Sequence, residues 1–315
     1  MRYGVTMFAT DVSIDVVELA RAVEERGLDS LWLPEHTHIP VSRTTPYPAG
    51  GELPEKYKRS LDPLVALAAA SSATTSVRLG TGILLPAQRD PIVTAKAVAS
   101  LDHVSGGRLA LGVGFGWNED EMADHGVDYA SRRAVAREHV LAMQALWHDD
   151  EAAFAGDHVR FSPTWSWPKP AQRDGHGRPH VPVLLGGGAG PKLFAQAVEY
   201  GDGWMPIGGA GMARALPALR GALEQAGRDP DHFEIVPFAV VPDHGKLDHY
   251  RDLGITETVF DLPSAPRDEV LAVLDRLTAF VAERAEPAGS SGSAGPAGSD
   301  EVDGSVGRAD PGPED

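Results

Sequence analysis

The run Glu35-His36-Thr37-His38 places two imidazoles and a carboxylate within four residues, directly after a short apolar segment, Ser30–Leu33. Imidazole titrates near neutrality, so His36 reads either as a half-buried polar core residue or as an acid–base group suited to proton transfer, with Glu35 orienting it. A His-x-His pair is also the start of some metal sites, but such a site needs further His or acid ligands from later segments. Here the corresponding segments end in glycines and Pro206, and no metal is expected. The absence of cysteine excludes a thiolate nucleophile, a thiolate metal site and disulfides.

Two glycine-rich stretches suggest a second kind of chemistry, the binding of an anion. Gly112-Val113-Gly114-Phe115-Gly116 and Gly186-Gly187-Gly188-Ala189-Gly190 each follow an apolar run and open a helical pattern. Free N–H groups and the helix dipole favour negative charge at such a junction. Lys192 falls in the first turn of the second helix, where a cation is unfavourable unless something negative is bound nearby. That points to a phosphate. Glycines after a strand also simply permit tight turns, and the first stretch lacks the third glycine of a dinucleotide fingerprint. Trp32 and Trp117 read either as packing at the mouth of a barrel or as the walls of a pocket for a planar ring.

These residues must be positioned by a repeating frame. Short β-branched runs alternate with segments of 3.6-residue periodicity eight times. The expected strands are Tyr3–Phe8, Ser30–Leu33, Val77–Leu85, Arg108–Gly114, Val181–Leu185, Gly203–Ile207, Phe233–Val241 and Thr256–Leu262. Helices follow each, the first capped by Ser13 and the third by Asp90 with Pro91 behind it. A stretch without clear period, Phe154–Pro170, interrupts the alternation. Strand–helix alternation specifies a parallel sheet, and eight repeats predict an α/β fold closed as a single (β/α)8 TIM barrel over residues 1–284. Residues 285–315 are rich in Gly, Pro, Ser and acid and are expected to form a disordered acidic C-terminal tail. In a barrel the working site lies where the strands end and the helices begin. That is where His36, the two glycine stretches and Asp261 fall.

The chain carries 45 acidic and 28 basic side chains, a formal charge of −17. Such a balance argues against nucleic-acid or anionic-membrane binding and for a small-molecule partner. No apolar run reaches the ~20 residues that cross a bilayer, and the first residues carry no leader pattern, so a cytoplasmic location is expected.

The motifs also match a family. Gly80-Thr81-Gly82-Ile83-Leu84-Leu85-Pro86, Pro91-Ile92-Val93-x-Ala95-Lys96 through Ser105-Gly106-Gly107-Arg108, and Leu111-Gly112-Val113-Gly114-x-Gly116-Trp117-Asn118-x-x-Glu121 together resemble the luciferase-like monooxygenase superfamily, in particular its F420-dependent, actinobacterial-type branch. Trp32-x-x-Glu35-His36 and Gly201-Asp202-Gly203-Trp204 extend the resemblance. It implies a barrel that carries coenzyme F420, or alternatively FMN, and that transfers a hydride to or from a small organic substrate. With FMN the same site would work as a monooxygenase; a non-catalytic cofactor-binding protein is the reading of another class.

The resemblance further implies a non-proline cis peptide at Gly82–Ile83 behind the cofactor, His36 near its reactive ring, Asn118 as a polar contact, and Gly187 and Gly188 as phosphate-holding amides, with Gly114, Gly186 and Lys192 close by. Relatives are commonly homodimers. The loop Pro34–Ser60 is long enough to act as a lid, and its Arg43, Lys56, Lys58 and Arg59 either meet the acidic F420 tail or form a solvated charge run. One departure stands out. Sugar-phosphate dehydrogenases of the group carry a glutamate where this chain has Phe115, which implies a more apolar substrate pocket.

Overall fold

The computed structural model describes residues 1–209 and 211–284; the tail expected to be disordered lies outside the described residues. Strand β1 (Arg2–Thr6) leads into α1 (Val16–Glu25), β2 (Ser30–Leu33) into α2 (Lys56–Arg59) and α3 (Pro63–Ser71), and β3 (Arg78–Leu84) into α4 (Pro91–Val104). Next, β4 (Leu109–Val113) leads into α5 (Glu119–Asp124) and α6 (Arg132–His148). The stretch without period contains an antiparallel hairpin, β5 (Ala152–Ala155) with β6 (Arg160–Thr164). The alternation then resumes with β7 (Val183–Gly186) and α7 (Pro191–Tyr200), and β8 (Gly203–Met205) and α8 (Met212–Gln225). It ends with β9 (Glu234–Ile235) and α9 (His244–Asp252), and β10 (Glu257–Asp261) and α10 (Arg267–Ala282).

Eight strands pair in the order β10-β1-β2-β3-β4-β7-β8-β9, all parallel. A bridge between Val240 and Phe260 draws the two edges together, so the sheet is a nearly closed TIM barrel. The seventh barrel strand is the irregular one. Pro237 has no N–H to donate, and Ala239 takes a positive φ of 53°, so the ladder of the expected Phe233–Val241 strand shrinks to β9 and isolated bridges at Phe238 and Val240. The first helix also starts later than expected. Asp15, whose side chain accepts from the Val17 and Glu18 amides, is its cap, while Ser13 bonds back to the turn at Thr10.

The core has two parts. A large apolar cluster fills the layer between strands and helices. A smaller one, built on Trp32, Leu184, Met205, Phe238 and Val259, fills the barrel itself. Gly80 exists to admit Trp32, since a Cβ there would lie 2.2 Å from the indole. Below Trp32 the strand starts are sealed by polar groups. The indole N–H donates to Ser30 Oγ (2.8 Å), which donates to Glu257 (2.7 Å), and Arg78 bridges Glu257 (2.9 Å) and Glu234 (2.7 Å). With that end plugged, access is left to the carboxyl ends of the strands.

Candidate active site

A cleft of about 490 Å³ opens at those carboxyl ends. Its walls come from all around the barrel: Thr6 and Asp261 on one side, His36 and Ile83 on the next, then Phe115 and Trp117, Gly186 and Gly187, Met205, and Phe238. The lining is mostly apolar. The long loop after β2 folds back so that Lys56 and Tyr57 of α2 also face the cleft. Among the described residues no group of three His, Asp or Glu side chains is arranged to hold a metal ion. His38 turns outward to Asp124 (3.0 Å), away from its sequence neighbour His36.

His36 is the polar centre of the site. Its Nδ1 lies 2.7 Å from Glu121 Oε2, and the other carboxylate oxygen accepts the Thr37 amide (3.3 Å). A carboxylate accepts, so Nδ1 carries the proton, and Nε2 has no protein partner among the described residues. Tyr57 and Trp117 flank the imidazole with ring centroids 5.2 and 5.8 Å away. Glu121 is fully buried on α5, a helix begun by Asn118, whose Oδ1 accepts the Glu121 amide.

Glu35 does not orient His36. Its carboxylate points to the other side of the chain, accepting the Leu85 amide (2.6 Å) and Arg89 Nε (2.6 Å), and Arg89 continues to Asp62 (2.5 Å). Burial pushes the Glu35 pKa up, against the pull of the Arg89 guanidinium. Successive side chains of an extended segment point opposite ways, which is why a sequence neighbour of His36 is a poor partner for it. The pair that sequence reading missed, His36 with Glu121, spans 85 residues. One signal was available: Asn118-x-x-Glu121 has the spacing of a capping box, with a Glu at the third helical position.

The Gly82–Ile83 peptide is cis, at the point where the β3–β4 register shifts between Thr81 and Leu84. Ile83 lies on the cleft floor, and two glycines make room for it. A Cβ on Gly114 would sit 1.8 Å from Ile83 Cδ1, and one on Gly186 2.9 Å from Ile83 Cγ2. Gly114 is therefore a seat for Ile83 and does not itself line the cleft. Gly82 packs under Phe238 in the same manner.

Gly187 lines the cleft; Gly188 is beside it, with open space where a Cβ would go. The amides of Gly187, Gly188 and Ala189 donate to no protein group among the described residues, and Gly190 brings no capping side chain to α7. Lys192, expected beside a bound phosphate, is turned by α7 to the solvent and lies outside the cleft lining. Asn118 is buried and also outside it; its Nδ2 has no partner, and neither have the amide atoms of nearby Gln88. Trp32 is inside the barrel and not a pocket wall, whereas Trp117 is one.

Three further cleft residues carried no motif. Asp261, at the end of β10, has no hydrogen-bond or ion-pair partner among the described residues, and its pKa is raised by the protein mass around it, with Lys56 pulling the other way. Arg132 and Arg133 enter from the first turn of α6. The cations of the Pro34–Ser60 loop are largely occupied with acids and rings: Arg59 pairs with Asp11 (2.8 Å), Lys58 with Glu55 (2.6 Å), and Arg43 lies over Trp117. Among the described residues no helix is long and apolar enough to cross a membrane.

The model of the luciferase-like monooxygenase family matches residues 8–242. An uncharacterised protein of Mycobacterium tuberculosis is 42% identical over 286 residues, covering 90% of this chain and 99% of that one. An F420-dependent glucose-6-phosphate dehydrogenase of Amycolatopsis mediterranei is 32% identical over 220 residues, 67% of this chain and 60% of the relative. Among solved structures, a monooxygenase from Streptomyces bottropensis superposes with a TM-score of 0.72 at 21% identity, over 91% of this chain and all of that chain (100%), which speaks for the fold alone. The chain belongs to the luciferase-like monooxygenase family.

Proposed function

We propose that the protein is an F420-dependent oxidoreductase that moves a hydride between the deazaflavin and a small organic substrate. The observation that carries this reading is His36, locked by buried Glu121 with Nε2 free, at the edge of an apolar cleft that also contains unpaired backbone amides. The residues present fit such a cofactor. Ile83, seated on Gly114 and Gly186, offers a flat apolar floor, and the amides of Gly187, Gly188 and Ala189 at the start of α7 suit a phosphate. A relative named as F420-dependent, 32% identical, supports the choice of the deazaflavin.

When bound, the deazaflavin supplies the carbon that gives or takes the hydride. The protein's part is to position, to exclude water and to manage a proton. Glu121 holds the Nδ1 proton of His36, which keeps Nε2 available to receive a proton from, or return one to, the reacting partner. Tyr57 and Trp117 flank the imidazole, whose side chain is largely withdrawn from water. Phe115 contributes an apolar wall, which favours a less polar substrate than a sugar phosphate.

Titration of the apoprotein with F420 and with FMN, followed by absorbance and fluorescence, tests the reading. F420 is expected to bind at micromolar concentration; FMN binding in its place would make the protein a flavin monooxygenase, and no binding by either sinks both versions. In single-turnover oxidation of reduced F420, His36→Ala is expected to slow hydride transfer by about 100- to 10,000-fold, the range of general acid–base catalysis, with cofactor affinity retained.

A further inference from the structure

Ile83 forms the floor of the cleft, yet neither neighbouring strand pairs with it. The β2–β3 ladder ends with Leu33 opposite Thr81. On the other side the β3–β4 register jumps from Thr81 opposite Leu111 to Leu84 opposite Val113, which leaves Gly82 and Ile83 outside both ladders. Strand pairing therefore stops just where His36, on the segment after β2, and Ile83, on β3, must keep their places in one cleft.

A side chain spans that gap. Glu35 Oε2 accepts the amide of Leu85 (2.6 Å), two residues past Ile83, and so supplies the acceptor that the β2 backbone no longer offers. Glu35 Oε1 is held by Arg89 through Nε (2.6 Å) and Nη2 (2.5 Å). Arg89 is held in turn by Asp62 (2.5 Å), the residue that caps α3. The Glu35 side chain is only 1% exposed, so water is in no position to replace it at the Leu85 amide.

Stability is a poor reason for this pair. A buried ion pair can be exchanged for apolar side chains of similar volume at little cost or with a gain, because desolvation of the two charges offsets their attraction. An apolar pair could not accept a hydrogen bond from one chosen amide. In the wall of a mostly apolar cleft, that directed bond is what the carboxylate adds.

We propose that Glu35 is a positioning residue: with Arg89 fixing its carboxylate, it ties the segment that carries His36 to the end of β3 and so sets the distance from the imidazole to the Ile83 floor. It acts on the backbone and not on the imidazole, which Glu121 holds. The role rests on the cofactor reading above, since the distance matters to a reaction that uses both His36 and the floor.

The test uses the full chain. Glu35→Leu/Arg89→Leu removes the acceptor without stranding a buried charge, whereas Glu35→Gln keeps one acceptor oxygen for the Leu85 amide. The measurements are amide exchange at Leu85 in the ligand-free protein, F420 affinity, and single-turnover hydride transfer from reduced F420 to a panel of small aldehydes, ketones and quinones. In the leucine pair, Leu85 is expected to exchange faster and hydride transfer to slow about 10- to 100-fold, the cost of a small misplacement. F420 affinity should stay within about threefold of wild type, which a general loosening of the barrel would not allow. Glu35→Gln should lie between the two in rate. If the leucine pair does not fold, Arg89→Gln, which frees the carboxylate from its guanidinium, should slow transfer in the same direction by a smaller factor. A folded variant of either kind with the wild-type rate overturns the proposal. So does an affinity that falls as far as the rate, or a Glu35→Gln rate no better than that of the leucine pair. Wild-type protein that binds neither F420 nor FMN, or that binds F420 and passes a hydride to no member of the panel, overturns the cofactor reading and this role with it.

Discussion

Asp261 is an exposed carboxylate at the mouth of an apolar cleft, with no counter-charge in bonding distance among the described residues. Lys56 is close enough to be felt but stays over the Phe8 ring, 4.9 Å from its centroid. A raised pKa in the folded state means that the native protein binds this proton more readily than the unfolded chain. The stabilising contribution is present below the unfolded pKa of about 4 and is lost as the pH rises through the folded value. Asp261→Asn should therefore raise the melting temperature at pH 7 relative to wild type, and the gain should vanish near pH 3. A variant that melts at or below wild type at neutral pH would mean that Asp261 has a partner that stabilises its charge. The contrast with Glu35 is instructive. Both residues line the cleft, yet the Glu35 carboxylate turns away to the Leu85 amide and Arg89, while the Asp261 carboxylate has no such partner among the described residues.

At the scale of elements, the cleft floor depends on glycines in strands that neighbour β3. Ile83 presses on Gly114 just after β4 and on Gly186 at the end of β7, at distances that no Cβ would survive. Gly114→Ala must displace Ile83 and is expected to cost about 1–3 kcal/mol, as overpacking does. For a domain of this size each kcal/mol is worth roughly 2–4 °C in melting temperature. Gly188→Ala, two residues past Gly186, meets open space and should melt with the wild type. Differential scanning calorimetry of the pair separates a packing requirement from a general intolerance of the loops. Had both variants melted alike, the Ile83 seat would be of no structural consequence. The long loop after β2 also belongs to this scale: Tyr47, Tyr57 and Trp117 contact one another edge-on, with centroids 5.3 to 6.2 Å apart, Arg43 lies over Trp117, and Asp120 accepts from the Thr44 and Thr45 amides, so the loop is held to the segment after β4 by rings and polar groups together.

For the whole molecule, the first and last strands are held by a polar plug opposite the cleft. Glu257 of β10 is completely buried and receives Ser30 from β2 and Arg78 from β3, while Arg78 also reaches Glu234 of β9. Arg2 also reaches Glu257 (2.9 Å) and Glu234 (3.3 Å) from a half-exposed position, so Arg78→Leu leaves the buried carboxylate only partly compensated and is expected to lower stability by about 1–3 kcal/mol in chemical denaturation. Because the plug is at the far end of the barrel, the variant's affinity for F420 should match wild type at temperatures where both are folded. A loss of stability below about 0.5 kcal/mol, the scale of an ordinary surface change, would argue that the barrel closes without the plug.

The sequence alone determined the barrel, because eight alternations of period two and period 3.6 record which faces are buried, and that record is local. It also determined that His36 and Gly186–Gly187 would meet at one end, since a barrel places every strand-to-helix junction there. The tertiary structure decided which side chains touch. Glu121 and not Glu35 beside His36, Arg132 and Arg133 and not Lys192 in the cleft lining, and Gly114 as a seat for Ile83 all depend on the angle at which separate strands and helices cross. Such contacts join residues as much as 85 positions apart, and no periodicity in a linear sequence encodes the distance between them.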